Sequence, residues 1–139
     1  MIWKTKYSVE DLEPLGKGTI HDALGIQLTS VGTDSISGKM PVDERTKQPA
    51  GILHGGASVV LAESLGSIAS NLVIDNAKFI AVGQSINANH IRPGISGFVH
   101  GTCTPIHLGK RSHVWHIEIK NEAVKLVCIC RLTMAIVDK

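Results

Sequence analysis

The sequence predicts an α+β fold in which an antiparallel sheet packs on one long central helix. Residues 57–74 form a long segment with almost no charge, which is typical of a buried helix. Two segments of strand character precede this helix, and four follow it. The length of 139 residues suits one domain, residues 1–139, that builds its core without disulfides or metals.

Local signals predict the elements before the central helix. Ser8 with Asp11 three residues later resembles a capping box, so a short helix is expected over residues 8–15. Residues 24–29 alternate apolar and polar side chains, which predicts a strand. A second strand is expected over residues 36–42, after a turn.

Four strands are expected after the central helix, over residues 79–91, 98–106, 113–119 and 126–137. Short turns separate them, so consecutive strands are expected to pair antiparallel. In the third of them Trp115, Ile117 and Ile119 face one way. Pro105 inside a strand pattern indicates a bulge or an edge.

Composition and charge exclude several classes of protein. The formal net charge is +2 and aromatic residues make up only 4%, which argues against a nucleic-acid partner. The N-terminus lacks the apolar stretch of a signal peptide, and no apolar run approaches the roughly 20 residues of a membrane span. Three cysteines cannot complete a disulfide framework, so a cytoplasmic location is expected.

The cysteines and histidines do not have the spacing of a metal site. Cys128 and Cys130 are separated by one residue, closer than the cysteines of a zinc pair, and are expected to be buried, inert thiols. The seven histidines show no HExxH pattern, so no metal is expected. Four histidines are expected at the surface or an interface rather than in catalysis: His100, His107, His113 and His116.

The central helix carries one acidic residue, Glu63. Ser67, Ser70 and Asn71 follow at helical spacing, so one narrow polar stripe is expected. A polar stripe on a buried helix must face a cavity, a partner chain or a ligand, because an unpaired buried carboxylate is costly. The alternative is that Glu63 lies at an exposed helix edge or is paired with a distant residue.

His54, Gly55 and Gly56 precede this helix, and no Ser, Thr, Asp or Asn stands at its cap. An uncapped, glycine-rich helix start presents free N–H groups and the positive end of the helix dipole. Such a start is suited to holding an anion or polarising a carbonyl oxygen. The alternative is a plain glycine loop in which His54 makes only a local bond.

Gly55 and Glu63 are eight residues apart, about 12 Å along a helix. One substrate atom cannot lie within bonding distance of both groups on the same helix. If the two residues share a reaction centre, they must come from two subunits with antiparallel helices.

The spacing Gln48-x5-His54-Gly55-Gly56-x6-Glu63-Ser64-x2-Ser67 resembles the hotdog-fold acyl-CoA thioesterases. It is most similar to the branch of phenylacetate-pathway, 4-hydroxybenzoyl-CoA (Arthrobacter type) and 1,4-dihydroxy-2-naphthoyl-CoA thioesterases. The resemblance covers nearly the whole chain and implies a hotdog fold, a sheet wrapped around one helix. It also implies dimers that pair into tetramers.

The resemblance assigns catalytic roles to five residues. The Gly55 N–H would polarise the thioester carbonyl. Glu63 of the opposing subunit would attack the thioester or activate water. Gln48 and His54 would bond the thioester or position water, and Ser67 would orient the carboxylate, water or acyl group.

Further polar residues are expected to bind the substrate or its CoA phosphates, the last two through the phosphates: Ser64, Asn89, His90, Arg92, Lys110 and Arg111. The alternative for the strand-end residues is an interface network with a solvated arginine, and for the last two a solvated charge pair.

The sequence therefore predicts a metal-independent acyl-CoA thioesterase that needs no cofactor, since CoA enters with the substrate. Two alternatives are a hotdog dehydratase or hydratase acting on acyl-CoA or acyl-carrier protein, and a non-catalytic acyl-CoA-binding module. The sequence leaves open whether the acyl group is aromatic or fatty, and whether Glu63 forms an anhydride or activates water.

Overall fold

A computed structural model describes residues 1–139 and shows one long helix packed against one six-stranded antiparallel sheet. The helices are α1 (Val9–Leu12), α2 (Ile20–Leu24) and α3 (Gly55–Val73). The strands are β1 (Gln27–Val31), β2 (Ile36–Pro41), β3 (Phe79–His90), β4 (Phe98–Leu108), β5 (Ser112–Lys120) and β6 (Leu126–Asp138). The predicted α+β, hotdog architecture is confirmed, and the central helix begins two residues earlier than expected.

The N-terminal segment differs from the expectation at one element. The capping box of Ser8 and Asp11 is present and begins α1, which continues as a 3-10 turn. The predicted strand over residues 24–29 is wrong at its start, because Leu24 ends α2. Thr19 caps that helix and Gly25, with φ of 70°, terminates it, so β1 begins only at Gln27.

The strand order in the sheet is β1-β2-β4-β5-β6-β3. The prediction that consecutive strands pair is wrong for β3, which pairs with β6 rather than with β4. β5 and β6 have buried side chains along their length and take the interior of the sheet, whereas β3 is largely exposed. β3 therefore lies at an open edge. The bulge predicted at Pro105 is confirmed by a shift in the β4–β5 register.

The core lies between α3 and the sheet. Trp115, Ile117 and Ile119 alternate into it from β5, as predicted. Trp3 is also buried and stacks on Trp115, with 6.4 Å between ring centroids. Cys128 has no exposed surface and no disulfide, and the same holds for the other two cysteines.

The expectation of a surface position is wrong for His113, whose side chain is only 2% exposed. It shares the inward face of β5 with Trp115 because the two residues are two apart on a strand. Ser70 of α3 lies between them: its Oγ accepts a hydrogen bond from Trp115 Nε1 at 2.7 Å and is 3.1 Å from His113 Nδ1. These three residues form a fully satisfied polar cluster inside the core.

By length and composition alone, α3 could cross a membrane. Its apolar residues instead pack against five of the six strands, and Leu61 and Leu65 have no exposed surface. α3 is therefore the core helix of the fold and not a membrane span.

Candidate active site

The start of α3 is capped by the side chain of His54, through a local hydrogen bond. His54 is the N-cap residue, and its Nδ1 accepts a hydrogen bond from the Gly56 N–H at 2.8 Å. The expectation of an uncapped helix is therefore wrong. An imidazole nitrogen serves as well as a hydroxyl when the ring folds back onto the first turn. The Gly55 N–H is the first of the helix and has no acceptor within it.

A cavity of about 440 Å³ opens at this end of α3. Gln48, Gly55, Ser58, His90 and Arg92 are among its lining residues. The structure thus brings together residues from the loop before α3, the first turn of α3 and the end of β3. Four of these five were expected in the site from the sequence.

His90 makes the closest approach to the helix start. A Cβ added at Gly55 would lie 2.7 Å from His90 Nε2, which is closer than real Cβ contacts. Glycine at this position therefore lets the imidazole of β3 lie directly against the first turn of α3. His90 and Gly55, whose backbone N–H has no acceptor in the helix, line the same cavity.

Of the other cavity residues, Gln48 and Arg92 make side-chain hydrogen bonds within the chain, and Ser58 makes none. The Oε1 atom of Gln48 accepts a hydrogen bond from the Ala50 N–H, which fixes the amide within its own loop. Arg92 donates from Nη1 to the carbonyl oxygen of Leu126 at 2.6 Å. Ser58 is 1% exposed and makes no side-chain hydrogen bond within the chain.

Glu63 does not line this cavity. Its side chain is partly buried and makes no hydrogen bond or ion pair within the chain. The carboxylate points toward β3, where its Oε1 lies against the backbone of Gly83. Gly55 and Glu63 lie on the same continuous helix, so the length of helix between them separates them within one chain, as expected.

The polar stripe on α3 divides between two strands. Ser67 Oγ lies 3.8 Å from Met134 Sδ of β6, and Asn71 bonds both backbone groups of Ala81 in β3. Ser70 instead faces β5 inside the core, so its inclusion in a functional stripe is wrong. α3 contacts strands β2 to β6, so the strand that lies beneath a given face changes along the helix.

The remaining candidate residues lie apart from the cavity. His54 is exposed, and Ser64 is partly buried on α3. Asn89 bonds Asn87 at 3.3 Å and belongs to a different depression, next to His116. Lys110 and Arg111 lie near the other end of α3.

The loop of Lys110 and Arg111 forms part of a second cavity, of about 530 Å³, together with Val73. Arg111 pairs there with Asp138 at 3.1 Å, and both side chains are exposed. Lys110 makes no ion pair within the chain and is exposed. This cavity therefore presents two lysines without an ion pair, Lys4 and Lys110.

A model of the thioesterase superfamily matches residues 50–128, more than half of the chain. The chain belongs to the thioesterase superfamily. It is 51% identical over 136 residues to the 1,4-dihydroxy-2-naphthoyl-CoA hydrolase of Escherichia coli (strain K12), covering 98% of this chain and 99% of that protein. It is 44% identical to the proofreading thioesterase of Cronobacter turicensis, covering 98% of both chains.

Solved structures agree with these relatives. A mutant thioesterase from Pseudomonas aeruginosa superposes with a TM-score of 0.98 at 46% identity, covering 100% of both chains. A thioesterase from Haemophilus influenzae gives a TM-score of 0.95 at 45% identity, covering 99% of this chain and 96% of that one. The predicted enzyme class, an acyl-CoA thioesterase, is confirmed.

Two residues of this thioesterase were not found by sequence reasoning. Ser58 lies one turn after Gly55, and that spacing could have indicated its place in the cavity. Gly83 lies within a strand pattern, where a glycine weakens the strand and often marks a close approach.

Proposed function

We propose that this thioesterase hydrolyses an aryl-CoA thioester in a site formed by two copies of the chain. Water oxygen bonds to the acyl carbon, the carbon–sulfur bond breaks, and the CoA thiolate leaves and takes up a proton. The products are the free acid and CoA. The aryl preference is supported by 51% identity to a relative named as a 1,4-dihydroxy-2-naphthoyl-CoA hydrolase.

The observation that carries the proposal is the free N–H of Gly55 at the start of α3, in a residue that lines a cavity beside His90. A backbone N–H at the positive end of a helix dipole stabilises the oxyanion that forms on the thioester carbonyl. Gln48 and His90 flank this position and are suited to holding the thioester or a water molecule. His54 acts through the first turn, because its ring fixes Gly56.

Glu63 supplies the carboxylate, either as the base that takes the proton of water or as the nucleophile that forms a transient anhydride. Within one chain it lies about 12 Å along α3 from Gly55. It has no partner in its own chain, and it points to the open edge of the sheet. A second copy docked on that edge with its helix antiparallel would bring its Glu63 beside Gly55.

The edge of β3 supports such docking. The Asn71 side chain already bonds the N–H and the carbonyl oxygen of Ala81. Another strand can therefore pair with β3 only at residues after Ala81. Gly83 lies against Glu63, and His90 lies against Gly55. Each end of the remaining run of β3 is therefore next to one of these two helix residues. A two-fold axis near the middle of this run would place Glu63 of one subunit beside Gly55 of the other.

The position of Lys110 and Arg111 fits binding of the CoA phosphates across the same dimer. Their cavity includes Val73, ten residues beyond Glu63 and so about 15 Å further along the helix. In an antiparallel pair this cavity belongs to the subunit that supplies Glu63. Dimers that pair into tetramers, a single hotdog domain over residues 1–139 and a cytoplasmic location are parts of the same proposal.

The function is tested with a panel of aromatic and fatty acyl-CoA thioesters and a free-thiol reporter. We expect the highest kcat/KM for an aromatic acyl group, and a loss of at least about 100-fold in kcat for Glu63→Gln. Ser30→Ala, an exposed serine of β1, is the control. A 3-hydroxyacyl-CoA is added to the panel: its conversion to the enoyl-CoA without thiol release would favour a dehydratase. Binding without turnover would favour a binding module.

The two-subunit site is tested by complementation. Glu63→Gln and Gln48→Ala proteins are each assayed alone and after unfolding and refolding as an equimolar mixture. Random pairing gives half heterodimers with one intact site each, so about one quarter of wild-type activity is expected. No recovery in a mixture shown by mass to contain heterodimers would contradict the shared site.

A further inference from the structure

Gly83 of the edge strand lies directly over the Glu63 carboxylate. A Cβ built at Gly83 would overlap Glu63 Oε1 and would lie 3.2 Å from its Cδ and 3.9 Å from its Cγ. The carboxyl group and the adjoining methylene of the side chain thus fill the space that any other residue at position 83 would take. The carboxylate makes no hydrogen bond or ion pair within the chain.

The backbone does not demand glycine at this position. Gly83 is not among the residues with positive φ, so alanine is conformationally allowed there. Glycine inside a strand costs stability, because it leaves no side chain to pack and loses more backbone freedom on folding. The glycine is therefore explained by the space that it leaves for Glu63.

Two features fix Gly83 above the helix. The β3–β6 register shifts between Gly83 and Ser85, so a bulge bends the strand at this point. Two residues earlier, Asn71 donates to the Ala81 carbonyl oxygen at 3.3 Å and accepts from its N–H at 3.2 Å. Asn71 lies two turns after Glu63 on the same helix, so it sets the position of β3 relative to the carboxylate.

We propose that Gly83 is a positioning residue for Glu63: its missing side chain leaves the opening through which the carboxylate reaches the edge of the sheet. This inference rests on the proposed role of Glu63 in catalysis. The carboxylate is the far end of a flexible side chain, so an added methyl group displaces it and leaves the fold intact. Gly83→Ala is therefore expected to lower catalysis without lowering stability.

The experiment is a double-mutant cycle of Gly83→Ala and Glu63→Asp, with Ser30→Ala, an exposed serine of the opposite edge strand β1, as the control. Aspartate is one methylene shorter, so it retracts from the added methyl group. In the wild-type background, Gly83→Ala should lower kcat about 10- to 100-fold with KM changed less than about threefold. In the Glu63→Asp background the same change should cost less than about threefold.

Thermal unfolding and mass in solution accompany the kinetics. The inference is supported by this non-additivity in Gly83→Ala proteins whose Tm is at least that of wild type and whose oligomeric mass is unchanged. Equal losses in both backgrounds, or a loss of the wild-type mass, would overturn it. If Glu63→Gln is inactive while Gly83→Ala has wild-type kcat, the positioning role fails and the proposed function stands. A fully active Glu63→Gln enzyme would instead remove the proposed function.

Discussion

Two polar side chains of α3, two turns apart, have opposite surroundings. Ser70 has no exposed surface, and its hydroxyl is bonded by Trp115 and lies beside His113. Glu63 is partly exposed and has no partner within its own chain. The Ser70 hydroxyl has its hydrogen-bond partners within the chain. The Glu63 carboxylate has none there and is partly accessible from outside the chain.

This difference separates structural from functional polarity on one helix. A buried hydroxyl that has all its partners stabilises the packing of α3 on β5 and is costly to disturb. A carboxylate without partners contributes little to the fold, so its placement on a buried helix is explained by the catalytic role proposed for it. Substitutions at the two positions should therefore affect different measurements.

The largest expected effect is on turnover, at Glu63. Glu63→Leu keeps the side-chain volume and removes the charge, so kcat should fall at least about 100-fold. The free energy of unfolding should stay the same or rise, because the fold supplies no partner for the carboxylate. Acyl-CoA kinetics and denaturant unfolding measure the two quantities. A destabilised Glu63→Leu protein would show that the carboxylate has a structural partner.

The second effect is on stability, at Ser70. Ser70→Ala leaves the Trp115 N–H without its acceptor inside the core, which should lower the free energy of unfolding by about 1–3 kcal/mol. The kcat of the folded protein should remain within about twofold of wild type, since Ser70 faces away from the cavity. Equilibrium unfolding in urea is the measurement, and Ser30→Ala is the matched surface control. A loss of activity without a loss of stability would reverse the comparison.

The smallest effect is a pH dependence at His113. Burial lowers the pKa of this histidine below its ordinary value, and nearby His107 lowers it further. The unfolded chain therefore binds more protons than the folded one below about pH 6.5, so this contribution to stability is present above that pH and is lost as the pH falls. Unfolding between pH 7.5 and 5 should depend less on pH in His113→Asn than in wild type, whereas His100→Asn, at an exposed position, should match wild type.

Much of the fold could be predicted because its signals are local. The uncharged run gave α3, alternation gave the face of β5, and the proline gave the bulge in β4. The pairing of β3 with β6 could not be predicted, because it depends on which strands bury most surface once the sheet forms. The short helix α2 was missed because only five residues lie between its cap at Thr19 and its terminating Gly25.

The part of the candidate site formed by residues close in sequence was predictable. The part formed by contacts between distant segments was not. Gln48 and Gly55 stand close in sequence and line one cavity, and the separation of Glu63 follows from helix geometry alone. Sequence could nominate His90 but could not show that its ring lies against Gly55, because that contact depends on the position of the edge strand. Ser70 was misplaced for a similar reason, since the neighbouring strand changes along α3.

Because the proposed dimer forms at the open edge of β3, the activity and stability of the enzyme should depend on its own concentration. Unpaired backbone groups from Gly83 to His90 are satisfied by water in a lone chain and by a second strand in the proposed dimer. Association that stabilises only the folded chain raises the apparent Tm with protein concentration by mass action. Dilution would then reduce turnover and stability together, so the cellular abundance of the chain would set how much of it is active.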